Sequence, residues 1–157
     1  MKMIGVVLAG VAGLLMAVSS GAQEKTGSVF QMTDGYLQFE GRQPIHLTHV
    51  DHGRQKVWVG DKVSLWIDLK LVKGAISPCT RRDDEPCILR VSLVGRSHRK
   101  EIISKNESTT RIDSEISYAL GGYPISRQLD SGPAVLRFSV VKDDKVIFEY
   151  DIPIEVQ

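Results

Sequence analysis

The sequence predicts an all-β fold, an antiparallel β-sandwich, on three observations. Apolar and polar residues alternate with period two along much of the chain, and turn-forming residues recur between the alternating stretches. The apolar stripes do not fit the 3.6-residue repeat of a helix. Alternation gives each strand one face for a core and one for water, which suits antiparallel sheets.

Four stretches carry the pattern most plainly. Across 63–71, Val63, Leu65, Ile67, Leu69 and Leu71 alternate with Ser64, Trp66, Asp68 and Lys70. Within 88–94, Leu89, Val91 and Leu93 share one face, with Arg90 and Ser92 on the other. Over 134–140, Ala134, Leu136, Phe138 and Val140 alternate with Arg137 and Ser139. Over 146–156, Val146, Phe148, Tyr150, Ile152, Ile154 and Val156 alternate with Glu149, Asp151, Pro153 and Glu155. Lys142-Asp143-Asp144-Lys145 predicts a tight turn that makes the last two strands a hairpin. Gly60-Asp61 and Gly121-Gly122 read as strand boundaries, and Ser131-Gly132-Pro133 as the end of a loop. Pro153 has no N–H to donate and predicts an edge or bulged position. Shorter strands are expected over 28–32, 36–40, 45–50, 56–59, 100–104 and 110–118.

This run of strands over 60–157, with its terminal hairpin, resembles the immunoglobulin-like or fibronectin type III-like architecture, and a small antiparallel β-barrel is the alternative. The Cys…Trp…Cys arrangement of antibody domains is absent, and the two cysteines stand too close in sequence to link two sheets.

The N-terminus reads as a secretory signal. Lys2 precedes an uncharged apolar run over 4–18, and Ser20 and Ala22 fit the −3 and −1 positions of a signal peptidase, with cleavage before Gln23. The run is shorter than the roughly 20 residues that span a bilayer. The expected organisation is a signal peptide over 1–22 and one domain over 23–157. The expected location is periplasmic or secreted, with no stable membrane insertion after cleavage. Cys79 and Cys87 fit this address: an even pair at short spacing behind an export signal predicts a disulfide.

Composition narrows the function. The chain has 157 residues, 42% hydrophobic and 25% charged, with Lys+Arg 20 against Asp+Glu 19. A balance this even excludes a basic nucleic-acid binder, and the apolar content excludes a wholly disordered chain. No G-x-S-x-G elbow, H-E-x-x-H helix or Gly-rich phosphate loop occurs, so neither catalysis nor a cofactor is expected.

Three constellations remain. Between the cysteines, Arg81, Arg82, Asp83, Asp84 and Glu85 form a charged loop that a disulfide would hold ready for protein recognition. Trp66 lies on the polar stripe of its strand. There it could anchor a protein or stack on a sugar, with Trp58, Tyr118 and Tyr123 as further platform residues, or lie covered by Arg90 or Arg137. His46, His49 and His52, with Asp51, have ligand chemistry, but an extended chain spreads His46 and His52 roughly 20 Å apart. Only a bend near 51–53 could join His49 and His52. Arg96, His98, Arg99 and Lys100 read as a solvated turn, and Asn106-Glu107-Ser108 fits a glycosylation sequon. The leading expectation is a non-catalytic exported β-sandwich that binds another protein, as an inhibitor, an immunity-type protein or an envelope accessory subunit. A carbohydrate-binding module and a periplasmic metal-handling protein are the alternatives.

Overall fold

The computed structural model describes residues 23–24, 28–48, 53–80 and 85–157. The signal-peptide reading of 1–22 lies outside the described residues. Ten strands follow in chain order: β1 Gln23–Glu24, β2 Phe30–Phe39, β3 Ile45–His46, β4 Gln55–Val57, β5 Lys62–Leu71, β6 Cys87–Ser97, β7 Lys100–Thr110, β8 Glu115–Pro124, β9 Gly132–Lys142 and β10 Lys145–Val156. No helix occurs among the described residues.

The strands form two sheets. One runs β3-β2-β5-β8, and the other β1-β10-β9-β6-β7, with β4 added to the free side of β10. Every pairing is antiparallel except β4 with β10. No pairing joins the sheets among the described residues, so the pattern is that of a β-sandwich and not of the closed barrel held as the alternative. The expected apolar stripes point inward, except at Val146, which lies before the β10 bulge and is 47% exposed. Val63, Leu65, Ile67 and Leu69 of the first sheet share one buried cluster with Leu89, Val91, Leu93, Leu136, Phe138 and Phe148 of the second.

Several boundaries differ from expectation, for local reasons. The strands expected over 28–32 and 36–40 are one strand, β2. A bulge between Met32 and Asp34 shifts the inward phase from Met32 to Gly35, which hides the continuity. Gly121-Gly122 does not end a strand. It forms a second bulge within β8, opposite Ser64, where Gly122 takes a φ of 66° and Tyr123 returns to the core. The stretch 110–118 is broken, because β7 runs to Thr110 and β8 begins only at Glu115. The strand expected over 45–50 is confined to Ile45–His46 within the described residues, and that over 56–59 to Gln55–Val57.

The turns behave as their residues suggest. Asp143 and Asp144 both have positive φ, at 50° and 59°, which is the primed geometry that closes β9 onto β10. Pro153 pairs with Val135 on the inner flank of β10. On the outer flank β1 meets Tyr150 and Asp151, β4 meets residues from Ile154 on, and Pro153 falls in the gap. The bulge in β10 lies instead between Val146 and Phe148.

Candidate functional site

Trp66 points outward from the middle of the four-stranded sheet, as its place on the polar stripe requires, and is 46% exposed. Register sets its neighbours. Tyr36 on β2 is its partner on one side and Ala119 on β8 its partner on the other. His46 on β3 pairs with Tyr36 and completes the row, its ring 4.2 Å from the Tyr36 ring. The short β3 is held close because Leu47 N–H donates to the Gly35 carbonyl at 2.8 Å. Gly35 permits that approach, since a Cβ there would stand 3.2 Å from Leu47 and from the Trp66 carbonyl.

These side chains build an open groove of about 500 Å³, with Tyr36, Gln38, Pro44, Ser64, Trp66 and Ala119 in its walls. Two small residues, Ala119 and Gly121, line the groove beside Trp66. The indole itself is held, because Nε1–H donates to Asp68 Oδ1 at 2.9 Å. Asp34 stands opposite Asp68, one pleat along from Tyr36 and Trp66. The Tyr36 phenol is held above its ordinary range by desolvation first, then by the charge of Asp34 and a hydrogen bond to it, and by the charge of Asp68.

The cover expected for Trp66 is absent. Arg90 and Arg137 belong to the other sheet and are engaged there: Arg90 Nε lies 2.6 Å from Glu107 Oε1, and Arg137 grips Asp151 with two bonds of 2.6 and 2.7 Å. Such a two-pronged pair stabilises the charged guanidinium, and the Arg137 pKa rises above its usual value despite partial burial. The cation–π contact exists at the other tryptophan. Arg42 sits 4.7 Å from the Trp58 ring and bonds Asp61 at 2.9 Å, so Trp58, although 51% exposed, has its cover. Tyr118 and Tyr123 are not platform residues. Tyr118 packs inside against Phe138, ring centroids 5.3 Å apart, and Tyr123 donates its hydroxyl proton to Ser104 Oγ at 2.8 Å.

The disulfide expected between Cys79 and Cys87 is formed, S–S 2.03 Å, and both residues are buried. Its N-terminal arm is tied down where Ile112 N–H donates to the Cys79 carbonyl at 2.8 Å and Arg111 Nη1 donates to the Thr80 carbonyl at 3.2 Å. Glu85 is exposed and its carbonyl accepts a hydrogen bond from Lys142 Nζ. Arg81, Arg82, Asp83 and Asp84 lie outside the described residues, as do His49 and His52. No group of three or more His, Cys, Asp or Glu is placed to hold a metal ion among the described residues. The basic run is a turn, with positive φ at His98 and Arg99, and His98 N–H donates to Asp130 Oδ2 at 2.6 Å. Arg96 and Arg99 line a second cavity, of about 570 Å³, together with Glu101 and with Arg54, which pairs with Glu155 at 3.4 Å. Asn106 of the sequon is exposed on β7, an edge strand.

The sequence pointed to Trp66 but not to Tyr36 or Asp34, and it offered His46 as a member of a histidine cluster and not of this row. The available signal was weak: Asp34, Tyr36 and Gln38 alternate with Gly35 and Leu37, yet their meeting with Trp66 depends on register across two strands. No protein-family model matches this chain, and no curated protein matches it. The surroundings of Tyr36 can be read in solution. With its phenol raised in the fold, the native state keeps that proton to higher pH than the unfolded chain. This contribution to stability is full below about pH 10 and is lost as pH climbs through the native value. Tyrosinate absorbance, taken as the difference between the wild type and Tyr36→Phe, is expected to show a midpoint above about 10. In an Asp34→Asn, Asp68→Asn background that midpoint is expected to move down; an unmoved midpoint would exclude the two carboxylates as a cause.

Proposed function

We propose that this chain is an exported, non-catalytic β-sandwich that binds another protein, and that the Trp66 groove is its docking surface. The observation that carries the reading is an outward tryptophan held by its own hydrogen bond inside an apolar groove. Interface hot spots are enriched in such anchors, and a side chain already held loses little freedom on binding. The small polar contribution to the groove walls favours a protein surface over a sugar, which needs several hydrogen-bonding partners beside the stacked ring. Tyr36 and Trp66 side by side on a sheet face support carbohydrate binding as the second reading.

Export is supported by the signal pattern over 1–22 and by the disulfide. No helix among the described residues is long and apolar enough to cross a membrane. The fibronectin type III-like assignment is supported by strand order. Setting aside the short strands β1, β3 and β4, one sheet runs β2-β5-β8 and the other β10-β9-β6-β7. The stapled loop is a further recognition element in this reading. Beside it Ile76 is 87% exposed, an uncommon position for a large apolar side chain.

The test is affinity capture from envelope extract with the wild type, Trp66→Ala and Trp58→Ala as baits. A partner is expected to be retained by the wild type and by Trp58→Ala. With Trp66→Ala its affinity should fall by roughly 30-fold or more, the size of a hot-spot truncation. Equal retention by all three baits would overturn the assignment, and glycan-array binding that disappears with Trp66→Ala would replace it with the sugar reading.

A further inference from the structure

Elsewhere on the sheets surface acids stand across from cations, as Glu115 does from Lys70 on the four-stranded sheet. On the outer face of the β10-β9-β6-β7 sheet, carboxylates stand across from cations: Glu107 opposite Arg90, and Asp151 opposite Arg137. Beside the Trp66 groove, Asp34 stands opposite Asp68. Like charges directly across a strand pair oppose folding, where unlike charges would favour it. Ion pairs seen among the described residues include Arg42 with Asp61, Arg54 with Glu155, Arg90 with Glu107, and Arg137 with Glu149 and Asp151; none of these involves Asp34 or Asp68.

The aromatic faces lie next to this pair. Asp34 and Asp68 are each two residues from Tyr36 and Trp66 on the same face, about 7 Å along the strand. A planar cation laid on the indole would therefore have carboxylates at its edge. Aromatic faces attract cations, and a guanidinium can stack on a ring while directing its N–H groups at carboxylates in the ring's plane. Neither aspartate lines the groove; both stand one pleat beyond its Tyr36–Trp66 wall, and the raised Tyr36 phenol agrees that their charge is felt there.

We infer that the groove takes an arginine side chain presented by the partner protein, its guanidinium stacked on Trp66 and paired, beyond the apolar walls, with Asp34 and Asp68 at the groove's edge. This rests on the docking role given to the groove above and adds the chemistry of the occupant. Binding supplies a counter-ion to two opposed carboxylates that have none among the described residues, although their Oδ1 atoms accept from Gly35 N–H and from the indole. Because the site is open, the attraction is screened by salt over a Debye length of about 10 Å at 0.1 M.

The test uses the full chain carrying Trp58→Phe, so that Trp66 fluorescence alone reports binding. The probes are an acetylated peptide with one central arginine between apolar residues, and its citrulline twin, which has nearly the same shape without the charge. The arginine peptide is expected to bind about 10-fold more tightly. Asp34→Asn with Asp68→Asn keeps the Oδ1 acceptors for Gly35 N–H and for the indole while removing both charges, and is expected to erase that advantage. Equal affinity of the twins overturns the inference, as does an advantage that survives the double substitution. If the twins bind equally but Trp66→Ala still abolishes capture of the partner, the arginine is wrong and the docking surface stands. If Trp66→Ala leaves capture unchanged, the docking surface itself fails.

Discussion

Phe138→Ala is expected to lower the free energy of unfolding by about 3–5 kcal/mol, the range for emptying a large aromatic site in a packed core. Phe138 is fully buried on the inner face of β9, between β6 and β10. Its ring lies 5.3 Å from that of Tyr118, which belongs to the opposite sheet, and 6.1 Å from that of Phe148 on β10. It is therefore one of the side chains through which the two sheets touch, and its removal opens a void that neither backbone can close by moving alone. Against a total stability of about 5–15 kcal/mol for a domain, the loss is large. Urea unfolding measures it as a lower midpoint at unchanged slope. Phe138→Leu retains most of the volume and should lose less. A midpoint unmoved by Phe138→Ala would contradict the shared core.

Reducing the Cys79–Cys87 bond is expected to cost about 2.5 kcal/mol, the loop-entropy value for a ring of about nine residues. The sequence separation is 8, so the ring is short and the effect lies toward the lower end for disulfides. The released chain gains freedom mainly in the unfolded state, because Cys79 and Cys87 stay packed in the core and the arm before the ring keeps its bonds to Ile112 and Arg111. Urea unfolding with and without a reductant reads the difference directly. The Cys79→Ala, Cys87→Ala pair should lose more than reduction does, because it also removes two buried sulfur atoms. No shift on reduction would mean that the unfolded chain is already constrained over this stretch.

Strand identity was legible wherever alternation ran without interruption. The stripe from Val63 to Leu69 and that from Leu136 to Val140 face the core as their spacing required, and Asp143-Asp144 makes the turn its residues favour. What was not legible was a phase change inside a strand. The extra residues at Thr33-Asp34 and Gly121-Gly122 each reverse the stripe, so one strand was read as two and a bulge as a boundary. The same limit governed the site. That Trp66 faces outward followed from its own strand, but its cover depended on which sheet holds Arg90 and Arg137. Its partners Tyr36 and Asp34 depended on the register of β2, set only after a bulge. The Cys79–Cys87 bond follows from close spacing behind an export-signal pattern, and the two sulfurs stand at bonding distance.

Trp58 and Trp66 are the two tryptophans of the chain, so Trp58→Phe leaves a single reporter inside the proposed docking groove. Acrylamide quenching of that variant, with and without the captured partner, measures whether the indole is covered on binding. Trp66, 46% exposed, is expected to be readily quenched when the protein is free, and the partner to shift its emission to the blue and slow its quenching several-fold. Quenching unchanged at saturating partner would place the contact elsewhere on the molecule and contradict the docking role of the groove.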